Sequence, residues 1–209
     1  MLDRVLRHAG IDRLIHWLTA VCVLILLATA FLPILGVEFA WVAIHWWTGF
    51  ALMALVIVHV LRSVTPSRLM RIWIGPRDIR DAFAATRRNL HLAGTAAPKT
   101  GKYTFSQKFI HLAFAVVVLA AIVTGAMMMV KIDTPWWDRD PYWLSDEAWG
   151  IVYVVHGLAA LLLITMVMTH VYFALRPEKK AFLRAMIGGF VSRADYERHH
   201  DPERWKAEE

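Results

Sequence analysis

The sequence predicts an all-α integral membrane protein, built as a four-helix bundle with both termini in the cytoplasm. Hydrophobic residues make up 58% of the 209 positions, and the mean hydropathy is +0.46. Four apolar stretches each reach the length of about 20 residues that a helix needs to cross the hydrocarbon core of a bilayer. A soluble helical bundle would show polar helix faces, and the apolar run 21–35 has almost none.

The four predicted spans cover residues 14–35, 41–61, 109–130 and 151–174. Three arginines precede the first span, as in a signal peptide. That span is too long for a signal core, and no clear small-x-small cleavage site follows it, so we interpret it as a retained helix. The only cysteine, Cys22, lies within this helix, which excludes a disulfide within the chain.

The charge distribution predicts the orientation in the membrane. The segment 62–108 is basic, as are the N-terminus and the tail 176–209, whereas the other two connections are mainly acidic. Excess lysine and arginine mark cytoplasmic segments, so we expect a membrane domain, residues 1–175, followed by a cytoplasmic tail, residues 176–209. The net charge of +6 reflects this topology and gives no support for nucleic-acid binding. The cations of the middle segment are Arg62, Arg68, Arg71, Arg77, Arg80, Arg87, Arg88, Lys99, Lys102 and Lys108.

Tryptophans mark the predicted outer surface. An apolar ring with one polar N–H favours the membrane interface. The acidic, Trp-rich loop 133–149 is also a natural docking surface for a partner on the outer face. The tryptophans at this level are Trp41, Trp46, Trp47, Trp136, Trp137, Trp143 and Trp149.

Two pairs of histidines with equal spacing lie in the second and fourth spans. His45 and His59 are 14 residues apart, and so are His156 and His170. Fourteen residues make roughly four helical turns, so both members of a pair share a helix face and lie about 21 Å apart in depth. Ionisable residues inside membrane spans are costly and indicate functional sites.

Depth sorts these histidines into haem ligands. A low-spin b haem takes two axial ligands, usually imidazoles on opposite faces of the porphyrin. His45 and His156 lie at one level and predict an outer haem, whereas His170, near the inner boundary, has two candidate partners, His16 and His59. The chain has no C-x-x-C-H motif, so any haem is held non-covalently.

Glycines near the histidines favour the approach of a porphyrin. Gly49 lies one turn after His45 on the same helix face, where a missing side chain gives access to the backbone. Gly125 and Gly157 are candidates for the same role.

Short motifs along nearly the whole chain resemble one family, the cytochrome b (gamma) subunit of respiratory formate dehydrogenase, a dihaem cytochrome b561-like membrane family. That resemblance implies four transmembrane helices, two b haems and a location in the bacterial inner membrane. It assigns the inner haem to His16 with His170 and the outer haem to His45 with His156, and leaves His59 near a haem propionate or on a proton path. The motifs are DRLIHW (12–17), IHWWTG (44–49), GKY (101–103) with QK (107–108), VTG (123–125), VH (155–156), THVY (169–172), RAM (184–186), GFVSR (189–193) and HH (199–200).

The resemblance also implies a quinone site beside the inner haem, for menaquinone or ubiquinone, at the polar start of the third span. The family's Gly-Lys-Tyr-Asn reads Gly101-Lys102-Tyr103-Thr104 here, so a hydroxyl replaces an amide as the hydrogen-bonding group. His111 is a candidate quinone ligand or proton donor, because an unperturbed imidazole titrates at about pH 6.5. The expected quinone contacts are Tyr103, Thr104, Gln107 and His111.

The expected function is therefore transmembrane electron transfer, without binding of the primary substrate. An outer iron–sulfur subunit, joined to a molybdenum or tungsten catalytic subunit, would supply electrons that leave through quinone near the cytoplasm. The alternative within this class is a cytochrome b subunit of a hydrogenase, which usually has a fifth helix, or of another molybdenum-dependent oxidoreductase. A proton or metal transporter is a remote alternative, because no Asp or Glu lies within the predicted spans.

Overall fold

The computed structural model describes residues 3–65, 69, 71–92 and 99–206, and it is mostly helical. Of the cations that predict the orientation, Arg68 lies outside the described residues. Short 3₁₀ turns at Met129–Lys131 and Pro177–Lys179 follow two of the helices. The helices are α1 Gly10–Phe31, α2 Trp41–Ser63, α3 Pro76–Asn89, α4 Phe105–Met128, α5 Asp146–Leu175, α6 Lys180–Gly188 and α7 Arg193–His199.

Four helices of the described residues are long and apolar enough to cross a membrane, which confirms the predicted number and order of spans. They are α1, α2, α4 with its 3₁₀ extension, and α5, with lengths of 22, 23, 27 and 30 residues. α1, α4 and α5 begin four or five residues before the predicted spans, because polar N-terminal turns extend a helix beyond its apolar part. α1 ends at Phe31, two residues before Pro33, which has no N–H to continue a helix.

The all-α prediction needs one correction, a two-stranded antiparallel sheet. β1 (Arg4–Leu6) pairs with β2 (Phe190–Ser192), with Val5 opposite Val191. Strands of three residues are too short to show the alternating pattern by which a sequence predicts a strand. Each strand also depends on a partner at the other end of the chain.

The chain forms two compact units. The bundle unit comprises Ile15–His59 and Phe114–His170, and the loop-and-tail unit comprises Met1–Leu14, Val60–Ala113 and Val171–Glu209. Each has an apolar cluster of its own.

The bundle unit is a four-helix bundle whose outer surface is apolar. Val116, Val154 and Met168 are 69%, 68% and 67% exposed, as expected for side chains that face lipid. Its core takes side chains from all four candidate spans, namely Val23 and Leu27 of α1, Leu52 of α2, Val118 of α4 and Leu163 of α5.

The loop-and-tail unit contains a buried ion pair. Lys108 Nζ lies 2.8 Å from Asp78 Oδ2 and also donates to the carbonyl of Trp73 at 3.0 Å. Asp78 accepts the N–H of Gly75 at 2.9 Å and so caps α3. Burial favours the neutral carboxyl, but the hydrogen bonds from Lys108 and Gly75 and the nearby cations outweigh it, so the pKa of Asp78 is lowered.

Candidate haem centres

The bundle unit contains two pairs of histidines, and within each pair the two rings face each other. The ring centroids of His45 (α2) and His156 (α5) are 6.3 Å apart, with the ring planes at 67°. The centroids of His16 (α1) and His170 (α5) are 6.4 Å apart, with the planes at 57°. Each pair therefore joins two different helices, and the structure brings together all four residues expected as ligands.

Both separations fit a single iron between the two rings. Imidazole nitrogens bind metals at about 2 Å, so two imidazoles on opposite sides of one iron have ring centroids roughly 6 Å apart. Among the described residues no group of three or more His, Cys, Asp or Glu is placed to hold a metal ion. A metal bound here would need its remaining ligands from a prosthetic group, and a porphyrin supplies four.

A threonine fixes the orientation of His45. Thr29 Oγ1 lies 2.8 Å from His45 Nδ1 and 2.8 Å from the carbonyl oxygen of Ile25. A carbonyl oxygen can only accept, so the single hydroxyl hydrogen of Thr29 is donated to the carbonyl. The hydroxyl oxygen then accepts the Nδ1–H of His45, which leaves the lone pair of this imidazole on Nε2, the atom free to bind a metal.

The same arrangement occurs at His156. Thr124 Oγ1 lies 2.9 Å from His156 Nδ1 and donates its hydrogen to the carbonyl of Ala120 at 2.6 Å. The neighbouring Gly125 gives the ring room, since a Cβ added there would lie 3.2 Å from His156 Cε1. His156 therefore also carries its proton on Nδ1 and its lone pair on Nε2.

The second pair has aromatic neighbours instead. His16 packs edge-on against Trp17 at a centroid distance of 5.3 Å, and His170 against Phe114 at 5.9 Å. His16 is half-buried and His170 is exposed on the surface of the protein. Within the described part of the chain, neither ring has a threonine partner like those of the first pair.

The space is open beside Gly49 and Gly157, two of the glycines expected to let a porphyrin approach the backbone. A Cβ added at Gly49 or Gly157 would meet no heavy atom of the described residues within 4 Å. A flat group therefore has room beside both backbones, and the donor set and spacing of the histidine pairs fit haem.

The sequence profile of one family, described as "Prokaryotic cytochrome b561", matches residues 7–189. The chain belongs to the prokaryotic cytochrome b561 family. This assignment confirms the resemblance seen in the motifs and implies that the prosthetic group is haem b.

Two curated relatives match over nearly the full chain. The formate dehydrogenase cytochrome b556(fdo) subunit of Escherichia coli strain K12 is 26% identical over 217 residues, which cover 99% of this chain and 93% of the relative. The formate dehydrogenase cytochrome b556 subunit of Haemophilus influenzae is 25% identical over 224 residues, covering 99% of this chain and 84% of the relative.

His59 is half-buried on α2 in the bundle unit of this cytochrome b561 family member. The ring that faces His170 at 6.4 Å is that of His16. The assignment of His59 as the alternative inner ligand stays a prediction.

The four expected quinone contacts all lie in the loop-and-tail unit. Thr104 and Gln107 form a capping box, because Gln107 Oε1 accepts the N–H of Thr104 at 3.0 Å and Thr104 Oγ1 accepts the N–H of Gln107 at 3.3 Å. Thr104 therefore caps the N-terminus of α4 and Gln107 lies in its first turn, and both side chains keep N–H or O–H donors for a ligand. The Tyr103 ring has Arg7 Cζ and Lys102 Nζ each 5.7 Å from its centroid, and His111 is exposed on α4.

A buried arginine clamps the segment that precedes these residues. Arg7 donates to His200 Nε2 at 3.0 Å and to the carbonyl of Lys102 at 2.7 Å, while His200 Nδ1–H donates to the carbonyl of Gly101 at 2.8 Å. Arg7 and His200 are each 2% exposed. Burial lowers the pKa of Arg7 to about 10, and burial together with the Arg7 charge lowers the pKa of His200 to about 4. At neutral pH Arg7 is charged and His200 is neutral.

Four residues have roles that the sequence alone did not indicate: Thr29, Thr124, Arg7 and His200. The threonines had a weak signal, since each is a hydroxyl residue within an otherwise apolar span. Arg7 reads in the sequence as a cation that sets topology, and nothing local distinguishes it from Arg4.

Proposed function

We propose that this chain is the membrane-anchoring cytochrome b subunit of a respiratory formate dehydrogenase. In this role it passes electrons from an outer iron–sulfur subunit through two b haems to a quinone near the cytoplasm. The observation that carries the proposal is the presence of two facing histidine pairs, with ring centroids 6.3 and 6.4 Å apart, in a bundle of this family.

His45 and His156 hold one haem, and His16 and His170 hold the other. When bound, haem supplies reversible one-electron chemistry at its iron. Each histidine pair would hold an iron between two helices, and the rings of His16, His45 and His156 are half-buried in the bundle. His156 and His170 lie on one continuous helix, which spaces the two levels by about 21 Å along its axis.

The quinone binds at the start of α4, through Tyr103, Thr104, Gln107 and His111. Thr104 O–H and the Gln107 amide donate hydrogen bonds to a quinone carbonyl, because their oxygens already accept backbone N–H groups. Reduction of a quinone consumes two electrons and two protons. His111, exposed on α4, is the residue best suited to deliver a proton from the cytoplasm.

The outer face carries the partner subunits, and both termini lie in the cytoplasm. The distribution of lysine and arginine supports this orientation. Trp46, Trp47 and Trp136 form an aromatic cluster with centroid distances of 4.3, 5.8 and 6.4 Å, and Trp136 is 60% exposed. This cluster, with the acidic loop 133–149, is the proposed docking surface for the iron–sulfur and molybdenum or tungsten subunits.

A cytochrome b subunit of a hydrogenase or of another molybdenum enzyme would use the same histidine pairs. The names of the two relatives favour formate dehydrogenase. Reduction of the haems by formate in the purified complex, but not by hydrogen, would support this choice.

The first experiment is a reduced-minus-oxidised visible spectrum of the purified chain with pyridine haemochrome quantification. We expect two b haems per chain. His16→Ala should remove one, and the control His59→Ala should keep both. A folded, membrane-inserted chain without haem would contradict the cytochrome function, and loss of a haem in His59→Ala alone would reassign the inner ligand.

A further inference from the structure

Each of the four spans contributes one residue to a repeated arrangement around the first histidine pair. Thr29 of α1 accepts from His45 of α2, and Thr124 of α4 accepts from His156 of α5. Both threonines are buried, with exposures of 3% and 7%.

In both cases the hydroxyl is itself held in place. Thr29 donates to the carbonyl of Ile25 and Thr124 to that of Ala120, each four residues earlier on the same helix. The hydroxyl hydrogen is thus donated to the backbone carbonyl, and the lone pairs of the hydroxyl oxygen remain to accept from the histidine. A fixed acceptor of this kind prevents the imidazole ring from flipping and holds its proton on Nδ1.

We propose that Thr29 and Thr124 are positioning residues that set the reduction potential of the haem held by His45 and His156. This inference rests on the proposed haem ligation by those two histidines. A histidine that donates its Nδ1–H becomes a more basic ligand through Nε2. A more basic ligand stabilises ferric iron relative to ferrous iron, so the hydrogen bonds lower the potential of this haem.

The effect is confined to one of the two haem levels. The ring of His16 contacts Trp17 and the ring of His170 contacts Phe114. Neither aromatic ring offers an oxygen that could accept the N–H of the histidine. Because Thr29 and Thr124 act on the two histidines that would hold one iron, their removal should move the same redox component in the same direction.

The test is a spectroelectrochemical titration of the purified dihaem chain and its variants. Thr29→Val and Thr124→Val keep the side-chain shape and lose the hydroxyl acceptor. His156 also has a hydrogen bond with the backbone of Ala121, so Thr124→Val should have the smaller effect. Each should raise the potential of one haem, the double variant should raise it further, and the other haem should keep its potential. Thr29→Ser and Thr124→Ser should restore the original value, because serine keeps the hydroxyl.

Thr165→Val is the matched control. Its hydroxyl also donates to a carbonyl one turn earlier, that of Leu161 at 2.9 Å, but it lies on the exposed side of α5. This variant should leave both potentials unchanged. The component that moves in Thr29→Val must also be the one that His45→Ala removes.

Two results would overturn the inference while leaving the proposed function intact. One is a chain with two haems whose potentials do not change in the valine variants. The other is a shift in the valine variants that the serine variants fail to reverse. Absence of both haems from the unsubstituted chain would instead contradict the proposed function itself.

Discussion

His45 and His200 both donate Nδ1–H to an oxygen of the protein, but they differ in the group that lies beside Nε2. His45 donates Nδ1–H to Thr29, and His200 donates Nδ1–H to the carbonyl of Gly101. Nε2 of His200 then accepts from the guanidinium of Arg7. The ring of His45 instead faces His156, whose Nδ1 is engaged by a threonine in the same way.

The difference separates a structural histidine from a proposed ligand. The protein supplies donors and acceptors for both nitrogens of His200, so no lone pair is left to bind a metal. Two facing imidazoles that both carry their protons on Nδ1 present two lone pairs and no donor between them. An electron-pair acceptor such as iron satisfies that arrangement.

Replacing a member of the facing pair should have the largest effect. We expect His45→Ala to lose one of two haems, because the iron loses an axial ligand, whereas His200→Ala should keep both. Pyridine haemochrome analysis gives the number of haems per chain. The distinction fails if His45→Ala retains both haems or if His200→Ala selectively loses one.

Removing the donor to His200 tests the structural half of the comparison. Arg7→Met leaves His200 Nε2 and the Lys102 carbonyl without their donor, at a cost of about 1–3 kcal/mol for each buried acceptor. Hydrogen exchange at the amides of β2 should accelerate strongly. The control is Arg193→Met, which breaks an exposed ion pair with Glu197 and should change exchange little, since surface pairs are weak. Equal effects of the two variants would contradict a clamp by Arg7.

The pKa of His200 predicts that the loop-and-tail unit becomes less stable in acid. It is about 4 in the folded chain, below the ordinary 6.5, so between these pH values the unfolded state binds more protons. The contribution of His200 to the free energy of unfolding should be fully present above pH 6.5. It should fall toward pH 4 by up to about 1.4 kcal/mol per pH unit. Asp78, whose pKa is lowered, titrates below this window.

The measurement is exchange protection of β2 as a function of pH, corrected for the intrinsic rates. His200→Gln, which cannot titrate, should flatten the dependence between pH 6.5 and 4. An unchanged slope in this variant would assign the acid sensitivity to another group.

The smallest effect is expected from crowding the ligand ring without removing it. An alanine Cβ at position 125 would lie 3.2 Å from His156 Cε1, so Gly125→Ala should displace the ring by a few tenths of an ångström. Both haems should remain, with an altered absorption band or potential for one of them. Gly150→Ala is the control on α5, because its added Cβ meets no described heavy atom within 4 Å. Identical spectra for the two variants would contradict close packing of Gly125 on a ligand.

The transmembrane spans were predictable because each is a signal within a single helix. Continuous apolar length alone predicts the number and order of the four spans. The capping box at Thr104 and Gln107 is also a local S/T-x-x-E/Q pattern, although the two residues were expected only as quinone contacts.

What the sequence could not provide depends on contacts between distant segments. Whether the hydroxyl of Thr29 reaches His45 depends on how α1 and α2 are rotated about their axes, which hydropathy does not specify. Arg7 directly follows β1 and His200 lies eight residues after β2, and neither three-residue strand is recognisable alone. The quinone contacts remain a prediction from the resemblance.

The contact between Arg7 and His200 joins residues 193 positions apart, and this separation has a consequence for biosynthesis. At about 5–20 residues per second, the N-terminal strand waits roughly 10–40 s before its partner has been synthesised. All four spans are made within that interval. Closure of the loop-and-tail unit is thus a late event in the life of the nascent chain, and a polypeptide released early lacks the residues that complete it.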